Sequence, residues 1–143
     1  MTKTTVMVCF SIFGDAFPIE NISGKLGVLP TTAYKKGELI ANRSSSFSRK
    51  ETSWDLSTGY QVSCDVNEQL QQILNKLQNK TSVIKEIKEN YLVECKFFIV
   101  IKIANGSTPA LYLDKEAIKF ASSIEAEFDI DLYASPYEDF FAE

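Results

Sequence analysis

Glu125, Glu127, Asp129 and Asp131 stand two residues apart near the C-terminal end of the chain. In an extended strand, side chains two apart project the same way, so these carboxylates would share one face. Grouped carboxylates can hold a hard cation through oxygen ligands. They can also meet a basic protein, or form the solvated outer face of a strand whose inner face is Phe128, Ile130 and Leu132. No EF-hand-like loop shapes them into a cation site, so no metal is assigned. The following residues add aromatic side chains and more acid, and from Glu125 to the end there are seven acids and no Lys or Arg. Acids at a rim steer a basic partner, and buried aromatics hold it. The candidate set for partner contact is therefore Asp129, Asp131, Tyr133, Tyr137, Glu138 and Asp139. The competing expectation is that Tyr137, Phe140 and Phe141 pack back on their own domain.

Other chemistries find little support. The chain has no histidine, which removes His-based triads, His metal clusters and histidine pH switches. A serine or cysteine nucleophile would then need Lys, a carboxylate or a terminal amine as base, and no G-x-S-x-G or S-x-x-K pattern is present. Cys9, Cys64 and Cys95 are odd in number and far apart, with no C-x-x-C. They read as thiols in a reducing compartment, with Cys9 and Cys95 in apolar strand-like segments. Ser23-Gly24-Lys25-Leu26-Gly27 lacks the upstream glycine and the Lys-Ser/Thr pair of a phosphate loop. Residues 35–50 are basic, but two arginines and a net negative charge argue against nucleic acid. No catalytic residue, cofactor or metal ligand is assigned.

These residues must be positioned by a fold of modest size. The chain has 143 residues, 45% hydrophobic and 24% charged, with 15 Lys plus Arg against 19 Asp plus Glu and a net charge of −4. Those values describe one globular domain over 1–143, with 134–143 as an acidic aromatic tail. No apolar run approaches the roughly 20 residues of a membrane helix, and residues 1–6 do not read as a signal peptide. The Asn-x-Ser/Thr sequons at Asn21, Asn42, Asn79 and Asn105 then carry no glycosylation expectation.

Periodicity places the elements. Val6, Val8, Phe10 and Ile12 alternate with Met7, Cys9 and Ser11, a central strand over 5–12. Pro18 opens a helix carrying Ile19, Ile22 and Leu26, and Gly27 closes it. A short strand is expected near 33–40, then a mobile loop, then strand-like residues 51–62 with Gly59 as a break or bulge and Trp54 buried beside Leu56. Asp65 caps a helix with Val66, Leu70, Ile73, Leu74 and Leu77 inward; Thr81 or Ser82 caps a second. Residues 92–104 form the strongest strand, 111–113 a short one, Asp114 caps a helix to about Ile124, and a strand closes the series. The expected class is α+β, with helices on one face of a mostly antiparallel sheet. Its order is a ferredoxin-like βαββαβ extended by a C-terminal strand–helix–strand unit.

Several short segments, in order, resemble the bacterial domain-of-unknown-function 4279 family. They are Phe13-Gly14-Asp15, Leu26-Gly27-Val28 with Pro30-Thr31 and Gly37, and Thr52-Ser53-Trp54. The helix with Leu74 and Leu77, the strand after Tyr91 and Asp129-Ile130-Asp131-Leu132-Tyr133 continue the pattern. The resemblance implies a small cytoplasmic bacterial protein with no enzyme activity or catalytic residues to carry over. The expected function is a non-catalytic protein-binding module, an immunity or antitoxin-like partner of a bacterial toxin that meets a basic protein. The alternative is a small-molecule-binding or regulatory domain with a pocket between sheet and helices.

Overall fold

An extended chain gathers every second side chain on one side, and Val6, Val8, Phe10 and Ile12 use that geometry to enter a core. The structure is a computed structural model that describes residues 3–40 and 47–135. In it this segment is β1 (Thr5–Gly14), and those four side chains are fully buried. The other elements follow as α1 (Ile19–Leu26), β2 (Thr32–Tyr34), β3 (Thr52–Ser57), β4 (Gln61–Val62), α2 (Val66–Leu77), α3 (Thr81–Tyr91), β5 (Glu94–Ile103), α4 (Lys115–Ser123) and β6 (Glu127–Ala134). The strands make one six-stranded sheet in the order β2-β3-β1-β5-β6, with β4 also paired to β1. All pairings are antiparallel except β5 with β6. The class is α+β with a mostly antiparallel sheet, and β4 and α3 are additions to a bare βαββαβ series.

The helices form where the apolar stripe recurs at helical spacing, and they end where the chemistry stops them. Asp65 Oδ1 accepts from the Asn67 amide at 3.0 Å, and Asp114 Oδ1 accepts from the Ala117 amide at 2.9 Å, so both expected caps are in place. Gly27 takes the left-handed conformation (φ +67°) that ends α1. At α3 the helix begins at Thr81 itself, and its cap position, Lys80, makes no side-chain cap bond. Neither Thr81 nor Ser82 is therefore the cap.

Ile22 and Leu26 of α1, Leu70, Ile73 and Leu77 of α2, Ile84 and Ile87 of α3, and Ala117 and Ala121 of α4 all join one core cluster. It includes Phe10, Trp54, Leu56, Phe97, Ile99 and Ile101 from the sheet, so the helices cover one sheet face. Trp54 is buried, and its indole N–H donates to Ser23 Oγ of α1 at 3.0 Å. Phe97 meets Phe10 at 5.1 Å, Phe120 at 6.3 Å and Phe128 at 5.0 Å between ring centres, which ties α4 and β6 to the middle of the sheet.

Two strand expectations are corrected, and one is narrowed. The strand near 33–40 is only Thr32–Tyr34, with a single bridge from Leu39 to Ser48 beyond it. Of the two expectations for Gly59, the break holds: at φ +69° it divides 51–62 into β3 and β4. Residues 111–113 form no strand; the bridge there joins Ala110 to Asp65, and Leu111 and Tyr112 are exposed. The expected mobile loop falls largely on 41–46, outside the described residues.

Candidate functional site

The side chains that β1, β3 and β5 turn away from the core form a second sheet face, uncovered among the described residues. The register places Thr32, Asp55, Ser11, Lys96 and Glu127 in one row across β2, β3, β1, β5 and β6. The next row is Ser57, Cys9, Phe98 and Asp129, followed by Met7, Val100 and Asp131, and then by Thr5, Lys102 and Tyr133. Tyr34, Ser53 and Phe13 stand on the other side of the Asp55 row. This face carries a trough of about 320 Å³ whose floor is Met7, Cys9, Ser11, Phe98 and Val100. Tyr34, Glu51, Ser53 and Asp55 flank it toward β2, and no helix residue lines it.

A polar network sits in that trough, among the apolar side chains of its floor. Ser11 Oγ and Ser53 Oγ each donate to Asp55 Oδ1 at 2.6 Å, and the two hydroxyl oxygens are 3.0 Å apart. Each hydroxyl has one hydrogen, and the carboxylate, as the stronger acceptor, draws both. Ser11 and Ser53 are buried and Asp55 is half-buried. No imidazole or amine stands against either serine among the described residues to take its proton. The arrangement presents a fixed carboxylate to a ligand rather than an activated nucleophile.

The other polar groups frame this centre. Burial pushes the Cys9 thiol up to about 12; the Asp55 charge adds to that, and a backbone hydrogen bond at Leu56 opposes it. Cys9 is therefore a neutral thiol on the trough floor, not a nucleophile. Cys95, on the core side, is likewise pushed up to about 12 by burial, with Lys88 opposing and Glu94 adding. Cys64 is exposed, and all three cysteines are free. Lys96 leans toward Asp129, Nζ to Oδ2 3.8 Å, and Lys102 lies over the Tyr60 ring at 3.9 Å. The Arg49 guanidinium stacks on Tyr34 at 4.0 Å.

Among the candidates drawn from the sequence, Asp129, Asp131 and Tyr133 lie together on this open face, along the free edge strand β6. Tyr137, Glu138 and Asp139 lie outside the described residues. Glu125 does not belong to the strand; it holds a left-handed turn (φ +54°) before it. No group of three or more His, Cys, Asp or Glu among the described residues is placed to hold a metal ion. Sequence reasoning missed Ser11, Ser53 and Asp55. The available signal was polarity out of place: a serine within an apolar central strand, and a Ser-x-Asp pair alternating with Trp54 and Leu56.

Among the described residues no helix is long and apolar enough to cross a membrane. Comparison with curated proteins finds no match, and comparison with solved structures finds none either. The model of a family described as a domain of unknown function (DUF4279) matches residues 2–135, nearly the whole chain, with the β1 opening, the Thr52-Ser53-Trp54 strand and the closing strand β6 all inside the match. The chain belongs to this DUF4279 family.

Proposed function

We propose that this chain is a non-catalytic protein-binding module that meets a basic partner with the open face of its sheet. One observation carries the reading. A sheet face that no helix covers among the described residues combines an apolar floor of Met7, Phe98 and Val100 with the acids Asp55, Asp129 and Asp131. Apolar contact with charged margins is the chemistry of a protein interface. The role that fits is an immunity or antitoxin-like partner of a toxin in the bacterial cytoplasm, and three free cysteines support a reducing setting. On this reading the order β2-β3-β1-β5 is a ferredoxin-like arrangement to which α4 and β6 are appended.

The test is a photo-reactive phenylalanine analogue at Val100, on the open face, compared with one at Glu116, on the exposed side of α4. A basic protein cross-linked from position 100, absent from position 116 and lost on reversing Asp129 and Asp131 to Lys, is the expected result. Cross-links from position 116 alone would contradict it.

A second reading, a small-molecule-binding domain, is favoured by the trough with its Ser11–Ser53–Asp55 centre. Its pocket would lie on the open face rather than between sheet and helices. Saturation of the trough by a cell-extract metabolite, with no protein cross-linked at position 100, would favour it over the first.

A further inference from the structure

Asp55 is an anion that no cation among the described residues meets. Oδ1 takes the two serine hydroxyls at 2.6 Å each, while Oδ2 has no partner among the described residues. Among the described residues Lys96 is the one cation that lines the trough, and it is two strands away from Asp55, about 10 Å by the usual strand spacing. Its ammonium group lies over the Phe98 ring at 5.5 Å and within 3.8 Å of Asp129 Oδ2. Glu51, four residues before Asp55 in the chain, adds a second acid to the lining.

The surroundings suit a cation as well as the charge does. Phe13, Tyr34 and Phe98 line the trough, and aromatic ring faces attract cations. Tyr34 already carries one, the Arg49 guanidinium. Ser11 and Ser53 hold the carboxylate from below, so it is oriented before any ligand arrives, which lowers the cost of ordering it on binding. A half-buried carboxylate also loses less to solvent screening than the exposed acids of β6.

We propose that this trough is a cation subsite that takes the guanidinium or ammonium end of a basic side chain, with Asp55 Oδ2 as the acceptor and Phe13, Tyr34 and Phe98 as its walls. The inference rests on the reading that the open face meets a basic partner, and it names the atom that receives the partner's charge.

The experiment uses the full chain, labelled with nitrogen-15, and no partner. It is titrated with butylguanidinium chloride and with butylurea, which has nearly the same shape and no charge. Butylguanidinium should give saturable amide shifts at Ser11, Ser53, Asp55 and Phe98, and butylurea should bind about ten-fold more weakly or worse, because a charge-assisted bond is lost. Asp55→Asn should weaken the cation about ten-fold, while Glu116→Gln, on the exposed side of α4, leaves its binding in place. Asn keeps an oxygen for the serine hydroxyls, so the fold is expected to persist, and a melting curve checks it. If Asp55→Asn does not fold, the contrast between the two probes on the unaltered chain still decides. Equal binding of both probes, shifts confined to β6, or no cation binding at all would overturn the subsite. Because no partner is present, such a failure leaves the partner reading to be judged by its own cross-linking result.

Discussion

Trp54 is the largest fully buried side chain among the described residues, and its indole N–H is satisfied by Ser23. Trp54→Ala should cost about 3–5 kcal/mol in a urea denaturation, by lost transfer energy and an unfilled cavity; a loss near zero would place the ring in solvent. The thiols give a pH dependence. Burial raises Cys9 and Cys95 from 9.0 to about 12, so between those values the folded chain holds protons that the unfolded chain has released. Their contribution is full below pH 9 and is lost as pH rises toward 12. The alkaline fall in urea midpoint should accordingly shrink in Cys9→Ala with Cys95→Ala. At pH 8, iodoacetamide should label the exposed Cys64 and spare the other two, as read by peptide mass; prompt labelling of Cys9 would contradict the assignment. The burial of Trp54 was legible because it alternates with polar neighbours and shares a face with Leu56. Asp55, one residue on, was not, since a lone carboxylate on the outer side of a strand looks like any solvated acid until its register with Ser11 is known.

At the scale of elements, the caps and the edge strand make separate predictions. Asp65 and Asp114 each accept from an amide in the first turn of a helix, so Asp65→Ala or Asp114→Ala should each cost about 1 kcal/mol in the same denaturation. An unchanged midpoint would mean that the cap bonds are idle. β6 is different. It is exposed along most of its length, and the Lys96–Asp129 pair is open to solvent on the Asp129 side. Reversing Asp129 and Asp131 to Lys should therefore change stability by less than about 1 kcal/mol. Against a basic partner the same change should slow association most at low ionic strength and leave dissociation nearly alone. Stopped-flow kinetics over a salt series measures both rates, and salt-independent association would remove β6 from the encounter. Strong periodicity made β1, β5, α2 and α4 legible. Residues 111–113 carried strand-like side chains but found no neighbour to pair with, and residues 35–40 paired at only one bridge. Strand propensity without a partner does not make a strand.

On the scale of the whole molecule, the site exists only because the sheet has this order. Ser11 and Ser53 are 42 residues apart and meet because β3 pairs antiparallel with β1; Phe98 joins them because β5 pairs with the other side of β1. Among the described residues, helices take one face and leave the opposite face of the same five-strand path uncovered, with Asp129, Asp131 and Tyr133 at its edge. Period-two patterning could assign each residue to a side of its own strand. It could not say which strands lie side by side, and so it found the acidic edge but not the trough. The central claim is that the open face is where this protein is recognised. Its most direct measurement is the amide chemical-shift footprint, on the full chain, of the basic partner captured from position 100. The account predicts shifts and line broadening at Met7, Cys9, Ser11, Phe98, Val100, Asp129 and Asp131, with Ile118 and the outer turns of α2 and α3 unmoved. A footprint on the helices with the open face silent would contradict it.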